Sequence, residues 1–232
     1  MSRVLPASRV NTRQSRNTRQ SRDTRHNLHD VTVARFLLVR HGQSEWNSVG
    51  RMQGHADSPL TPEGRRQAQS AARKLKGFDW VTSSDLSRAL DTAAIIAHEL
   101  SIPRLPAHAG LREVDVGPWQ GLTRRDIEKQ FPGFLANDMR PAGYEADESV
   151  FERVRTTLVS LATQPNNSSS APTGLLVTHS GVIRVMRRVL GFPDQRNHRN
   201  LEGCWFTVRA DGAVTVEESI NVLRNATISN TL

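Results

Sequence analysis

A single cysteine, Cys204, among 232 residues excludes a disulfide within the chain and leaves no thiolate set for a zinc site. It stands in Cys204-Trp205-Phe206, which reads as packing inside a strand. So little cysteine suits a reducing compartment, and the cytoplasm is the expected location. No run approaches the roughly 20 apolar residues that a membrane-spanning helix needs, so no membrane partner is expected. Acidic residues are not gathered into a cluster that could hold magnesium, and metal and cofactor independence are the expectation.

Positive charge is unevenly placed. Residues 1–30 hold seven arginines and two aspartates, a net of +5, and only +3 of the total +8 belongs to the remainder. The basic character is therefore a property of one end, and it does not imply a nucleic-acid-binding fold. That end is a near-repeat, Asn11-Thr12-Arg13-Gln14-Ser15-Arg16 followed by Asn17-Thr18-Arg19-Gln20-Ser21-Arg22. With almost nothing apolar to bury, residues 1–33 read as a disordered Arg-rich tail. Translated repetitive DNA ahead of a start nearer Val31 gives the same pattern. A targeting peptide fits less well, because the apolar face is missing.

The remainder, 34–232, is the right size for one α/β domain, and a hydrophobic content of 37% supports a core. Order is expected from near Arg35. Residues 36–40 read as a strand buried on both faces. Thr61-Pro62-Glu63 opens a helix with an N-cap, a proline at the first helical position and an acid at the positive dipole end. Its face of Ala68, Ala71, Ala72 and Leu75 is expected to run on to Gly77. A strand at 80–84 follows, then a helix from Leu86 to Leu100 with Leu86, Leu90, Ala93, Ala94 and Ala97 inward. A short helix starts at Thr123 and another spans Glu148 to Leu161. Residues 165–172 are a loop by composition. Gly174 to Thr178 is a strand, Val182 to Leu190 a helix closed by Gly191 and Pro193, and 204–219 a hairpin around Asp211-Gly212. Strands alternating with helices imply a three-layer α/β/α sandwich on a mainly parallel sheet.

The chemistry gathers at strand ends. Arg40-His41-Gly42 follows Phe36-Leu37-Leu38-Val39 directly, with Asn47 five residues on. Ligands of open α/β sheets bind at such strand ends. A histidine there can attack phosphorus, and an arginine beside it can hold phosphoryl oxygens in a planar fork. A turn-capping histidine and a solvated arginine would give the same tripeptide, so the setting decides. Ser83-Ser84-Asp85-Leu86-Ser87-Arg88 puts Arg88 in the first turn of a helix, where an incoming phosphate would offset its unfavourable place on the dipole. Val177-Thr178-His179-Ser180-Gly181 is a second strand end with a histidine.

Together with Leu111-Arg112-Glu113-Val114-Asp115 and Gly50-Arg51-Met52-Gln53-Gly54, these segments resemble, in order, the motifs of the histidine phosphatase superfamily, the phosphoglycerate-mutase-like enzymes. The resemblance spans about residues 35–190. It implies a phosphohistidine formed on His41, with Arg40, Arg88 and His179 holding phosphoryl oxygens. It implies Glu113 as the proton donor, with Asp115 its nearest competitor, and Asn47, Gln53 and Ser180 as substrate contacts. Residues 50–61 would lie over the pocket. The implied substrate is a small phosphorylated metabolite, a sugar phosphate or phosphoglycerate type. Family members are often dimers, so a homodimer is an expectation, though no segment marks an interface. The other histidines, at 26, 29, 55, 98, 108 and 198, carry no motif and read as surface or satisfied core.

Mutases of the family typically read Glu-Arg-His-Tyr-Gly around the acid and carry a longer insert after it. This chain reads Arg112-Glu113-Val114-Asp115-Val116-Gly117, and residues 122–146 are expected to contribute little that could close over a phosphoglycerate. Both departures favour a phosphatase over a mutase. A binding protein that has lost catalysis is the remaining alternative, disfavoured because both histidines are present.

Overall fold

Thr32–Arg40 form the central strand, β1, in a computed structural model that describes residues 1, 31–163, 171–192 and 196–229. The Arg-rich repeat, Pro193 and all but the end of the 165–172 loop lie outside these described residues. β1 reaches back through Val33 and Thr32, two residues that the sequence reading gave to the tail. Their backbone is drawn in by the partner strand, since Thr32 pairs with Arg209 and Ala34 with Val208.

Next come α1 (Glu45–Ser48), α2 (Pro62–Ala72), β2 (Leu75–Lys76), β3 (Trp80–Ser83) and α3 (Ser87–Leu100). They are followed by α4 (Arg124–Gln130), α5 (Asp147–Ala162), β4 (Thr173–Thr178) and α6 (Ser180–Val189). The expected hairpin is β5 (Glu202–Arg209) and β6 (Val214–Asn221), and β7 (Ile228–Ser229) pairs with β2. The main sheet has the order β3-β4-β1-β5-β6. β3, β4 and β1 pair in parallel, while β5 runs antiparallel to both its neighbours, so it alone is reversed.

The three layers follow from β1's alternation. Phe36 and Leu38 pack into a core with Val154 and Leu158 of α5 and Ile183 and Met186 of α6. Leu37 and Val39 pack on the other face with Ala68 and Ala72 of α2 and Ala93 and Ile96 of α3. A side-chain period of two on a strand covered on both faces gives this division.

Two helices differ from their sequence reading. α2 stops at Ala72, and Leu75 is buried from β2 instead, because Leu75 and Lys76 find backbone partners in Ile228 and Ser229. α3 buries Arg88, Ala89, Thr92, Ala93, Ile96 and Ala97, leaving Leu90 and Ala94 half-buried. The stripe is turned because Arg88 points inward. Thr92 secures that face, donating to the Arg88 carbonyl at 2.7 Å and accepting from the Gly42 amide at 3.0 Å.

Gly64, in the first turn of α2, approaches so closely that a Cβ would collide with the Gln43 carbonyl. The loop after His41 is thereby seated on the helix start. α4 is seven residues long, and it depends on a capping box in which Thr123 Oγ1 accepts from the Asp126 amide at 3.2 Å while the Asp126 side chain accepts from the Thr123 amide at 2.9 Å. The Thr123→Ala variant is expected to lose about 1 kcal/mol of stability in urea denaturation, the usual worth of an N-cap.

Candidate active site

Parallel register brings the two strand-end histidines together. Arg40 of β1 pairs with Thr178 of β4, so the next residue on each strand is a histidine, and the His41 amide donates to the Thr178 carbonyl at 3.0 Å. The two imidazoles stand with centroids 5.1 Å apart and planes inclined by 60°. His41 Nδ1 lies 2.6 Å from the Gly42 carbonyl oxygen. A carbonyl only accepts, so Nδ1 bears the proton and Nε2 the lone pair. His179 has both ring nitrogens buried with no hydrogen-bond partner among the described residues. Buried polar atoms are normally paired, and an incoming oxyanion would pair these.

Both arginines come to the same place. Arg88 is fully buried and donates to the carbonyls of Gly54 at 2.9 Å and Ala56 at 2.8 Å, which pins the 53–57 loop over α3. Arg40 donates to the His198 carbonyl at 2.8 Å. The Nε of each is buried without a partner, and neither side chain has a carboxylate within ion-pair distance among the described residues. Burial pushes Arg88 down to about 10, so it stays charged at neutral pH. Burial lowers Arg40 as well, against the opposing pull of Glu113 and Glu202.

The histidines answer this field. Burial first, then the charges of Arg40 and Arg88, hold His41 well below the ordinary imidazole range. Burial, Arg88, His41 and Arg40 do the same to His179. The result is two neutral imidazoles beside two guanidiniums with no carboxylate at ion-pair distance among the described residues.

A cavity of about 410 Å³ opens beside this centre. Arg40, Asn47, Gln53, Glu113 and Ser180 are on its wall. Neither histidine is, and their chain neighbours Arg40 and Ser180 stand there instead. Glu113 is held by backbone, its Oε1 accepting from the Val114 amide at 2.9 Å and its Oε2 from the Gly181 amide at 3.3 Å. The competitor Asp115 turns away to accept from the Gly117 amide and is not on the wall. Asn47 Oδ1 is buried without a partner among the described residues. Gln53 Oε1 accepts from Ser44 Oγ at 2.8 Å, and Ser180 Oγ accepts from the His198 amide at 2.9 Å.

Several residues of the site carried no signal in the sequence. His198 is buried, and its backbone holds both Arg40 and Ser180. The His55 ring pairs with the Glu113 carbonyl at 2.8 Å. Arg153 of α5 donates to the carbonyls of Gly110, Arg112 and Glu113, fixing the Glu113 loop from below. Residues 122–146 contribute much more than expected, supplying Arg124, Phe134, Leu135, Met139, Arg140 and Tyr144 to the wall. The reason is packing: Ile127 of α4 is buried with Val116 and Trp119, and Phe131, Phe134 and Tyr144 close around them. A short insert folded onto its own small core can stand over a pocket.

The fold and its strand-end centre define an α/β/α protein built to receive a small anion. The chain belongs to the histidine phosphatase superfamily (branch 1), whose profile matches residues 36–220. It is 37% identical over 174 residues to a glucosyl-3-phosphoglycerate phosphatase of Mycolicibacterium vanbaalenii, covering 70% of this chain and 77% of that one. It is 34% identical over 164 residues to a metal-independent phosphoserine phosphatase of Arabidopsis thaliana, covering 66% and 67%. Proteins named as phosphoglycerate mutases or mutase-like also match it. The solved mycobacterial glucosyl-3-phosphoglycerate phosphatase bound to VO3 superposes with a TM-score of 0.67 at 28% identity, over 79% of this chain and 96% of that one.

Proposed function

We infer that the chain is a phosphomonoesterase that hydrolyses a small phosphorylated metabolite through a phosphohistidine, with no metal ion. The observation that carries this is the His41–His179 pair, neutral and partly unpaired beside two guanidiniums that have no carboxylate at ion-pair distance among the described residues. Phosphoryl transfer needs positioning and charge stabilisation more than covalent help, and cations can supply that where magnesium does elsewhere.

In this reading the Nε2 lone pair of His41 attacks phosphorus in line as the bond to the leaving oxygen breaks. Arg40, Arg88 and His179 donate to the three remaining phosphoryl oxygens. Glu113, as the acid, gives its proton to the departing alkoxide. A water then attacks phosphorus, the P–N bond breaks back onto Nε2, and Glu113 takes up the proton that water loses. Asn47, Gln53 and Ser180 contact the substrate from the wall. The single buried cysteine and the placing of +5 of the charge within residues 1–30 support a cytoplasmic enzyme of free metabolites rather than of nucleic acid. Among the described residues no helix is long and apolar enough to cross a membrane.

Phosphate release from p-nitrophenyl phosphate in the presence of EDTA tests the reading, and a chain inert towards every phosphate ester overturns it. Incubation with 3-phosphoglycerate separates phosphatase from mutase. The expected product is inorganic phosphate, whereas 2-phosphoglycerate formed only with added 2,3-bisphosphoglycerate would mark a mutase. The Glu113→Gln variant adds a finer check. It is expected to slow alkyl phosphates by about 10²- to 10³-fold, the worth of a general acid. Its effect on kcat/KM for p-nitrophenyl phosphate, whose phenolate leaves without a proton, should stay within about tenfold, because that ratio reports phosphohistidine formation and not the later step in which Glu113 is the base.

A further inference from the structure

We propose that His198 is a positioning residue for phosphoryl transfer: its ring, fastened to the β5–β6 hairpin, sets the backbone carbonyl that aims Arg40 at the phosphoryl group. The proposal rests on the phosphatase reading and adds to it a residue that belongs to none of the sequence motifs. Arg40 needs such a device. It ends β1 on a long side chain, its Nε is buried without a partner among the described residues, and no carboxylate there stands at ion-pair distance to fix its fork. Its one side-chain hydrogen bond among the described residues is the 2.8 Å contact to the His198 carbonyl. A donor stabilises developing charge only if it already points at the oxygens, and a misplacement of about 1 Å can cost about 10²-fold. The aim of Arg40 is therefore only as good as the placing of residue 198.

Residue 198 lies between α6 and β5, outside both, so no ladder or helix fixes it. Its surroundings do. The His198 amide donates to Ser180 Oγ at 2.9 Å. Three residues on, Leu201 takes φ +54, strained for a bulky side chain, and is held there by full burial and by its amide, which donates to the Arg40 carbonyl at 3.0 Å. Between them, Asn200 Nδ2 donates to the His41 carbonyl at 2.9 Å. The ring supplies the remaining hold. Its Nε2 lies 3.1 Å from Ser219 Oγ of β6 and 3.4 Å from Cys204 Sγ of β5. Both of those atoms are fixed in turn by the buried Arg187 of α6, whose Nη1 donates to Ser219 Oγ at 2.8 Å and to Cys204 Sγ at 3.0 Å. A buried ring bonded at its far end cannot turn without breaking that contact, so its orientation is passed to the peptide that carries it. The competing account is that the ring only fills space, in which case an apolar ring would serve as well.

His198→Phe separates the two, since it keeps the bulk and removes the nitrogens. It is expected to lower kcat/KM on p-nitrophenyl phosphate by about 10- to 10²-fold and to weaken competitive inhibition by inorganic phosphate, with the melting temperature little changed. His198→Gln, whose amide can still meet Ser219, should recover part of the loss. Ser219→Ala removes the ring's partner without touching residue 198. It should show the same loss in smaller degree, and it carries the test if phenylalanine unfolds the chain. The cycle with Arg40→Ala is decisive. A ring that acts through Arg40 has little left to lose once Arg40 is gone, so His198→Phe or Ser219→Ala should cost no more than about twofold in that background. Losses that multiply in the double variant are the mark of general loosening and overturn the proposal. So do His198→Phe and Ser219→Ala chains that both stay within about twofold of an active wild type. A wild-type chain inert on p-nitrophenyl phosphate and every other phosphate ester overturns the phosphatase reading itself, and the role of His198 falls with it.

Discussion

The His41→Ala variant is expected to lose about 10⁴-fold or more in kcat/KM on p-nitrophenyl phosphate, the scale on which removal of a nucleophile acts. Alanine leaves no atom that can form a bond to phosphorus, so Arg40, Arg88 and His179 are left to bind the ester without turning it over. Because those three groups remain, affinity for inorganic phosphate should change little, which separates lost chemistry from lost binding. His179→Ala is the contrasting case. It removes one donor to the phosphoryl oxygens and should cost about 10²- to 10³-fold, as loss of one oxyanion donor does. Rapid quenching with a ³²P-labelled ester makes the distinction direct. Wild type and His179→Ala should carry an acid-labile, base-stable label, and His41→Ala none. The variant should not unfold, since burial already disfavours the charged form of this imidazole and its one side-chain hydrogen bond among the described residues is to the adjacent Gly42 carbonyl. Activity within tenfold of wild type in His41→Ala would remove the nucleophile from the proposal and the phosphohistidine with it.

The strand ends were legible because their information is local. A buried apolar run, a histidine, a glycine and a helix cap declare a strand stop wherever they occur, and Phe36–Val39 and Leu175–Thr178 show it twice. That these two strands are neighbours in register was not written locally. It came from the order of the motifs and their resemblance to a family. Arg88 was placed by that resemblance too, while the apolar pattern of α3 misled. Counting only apolar residues put Leu90 and Ala94 inward, where the structure buries a guanidinium and the Thr92 hydroxyl. Hydrophobic periodicity cannot register a polar side chain that is buried because its partners are backbone carbonyls at 54 and 56. His198 escaped for a related reason: what it contributes to Arg40 and Ser180 is backbone, which has no residue-type signature. Residues 122–146 were undervalued because the insert was judged by length. Its worth lies in Ile127, Trp119 and the aromatic rings that turn it into a wall, a property of packing alone.

The stability of the protein is expected to fall steeply as pH drops below about 6.5, with the two site histidines as the cause. Above pH 7 the imidazoles of His41 and His179 are neutral in the folded and unfolded chain alike, and they contribute no pH dependence. In the unfolded chain each takes a proton near 6.5. In the folded chain burial and the charges of Arg40 and Arg88 hold both well below that value. The unfolded state therefore binds more protons throughout this window, and stability declines as pH falls until the folded values are reached. Each histidine contributes about 1.4 kcal/mol per pH unit, so the pair approaches 3 kcal/mol per unit. The carboxylates whose folded values are lowered, Glu145 and Glu202 among them, act in the same direction but below the ordinary carboxylate range. Urea midpoints at pH 7.5 and 5.5 read the difference, and a chain with both histidines replaced by alanine should lose most of it. Saturating phosphate should also flatten the slope, because a bound anion supplies counter-charge beside the guanidiniums and lets the imidazoles take up their protons while folded. By the same linkage, phosphate must bind more tightly at pH 5.5 than at 7.5 once its own ionisation is allowed for. A slope that survives in the double variant, or that phosphate leaves untouched, would assign the acid sensitivity to groups outside this centre.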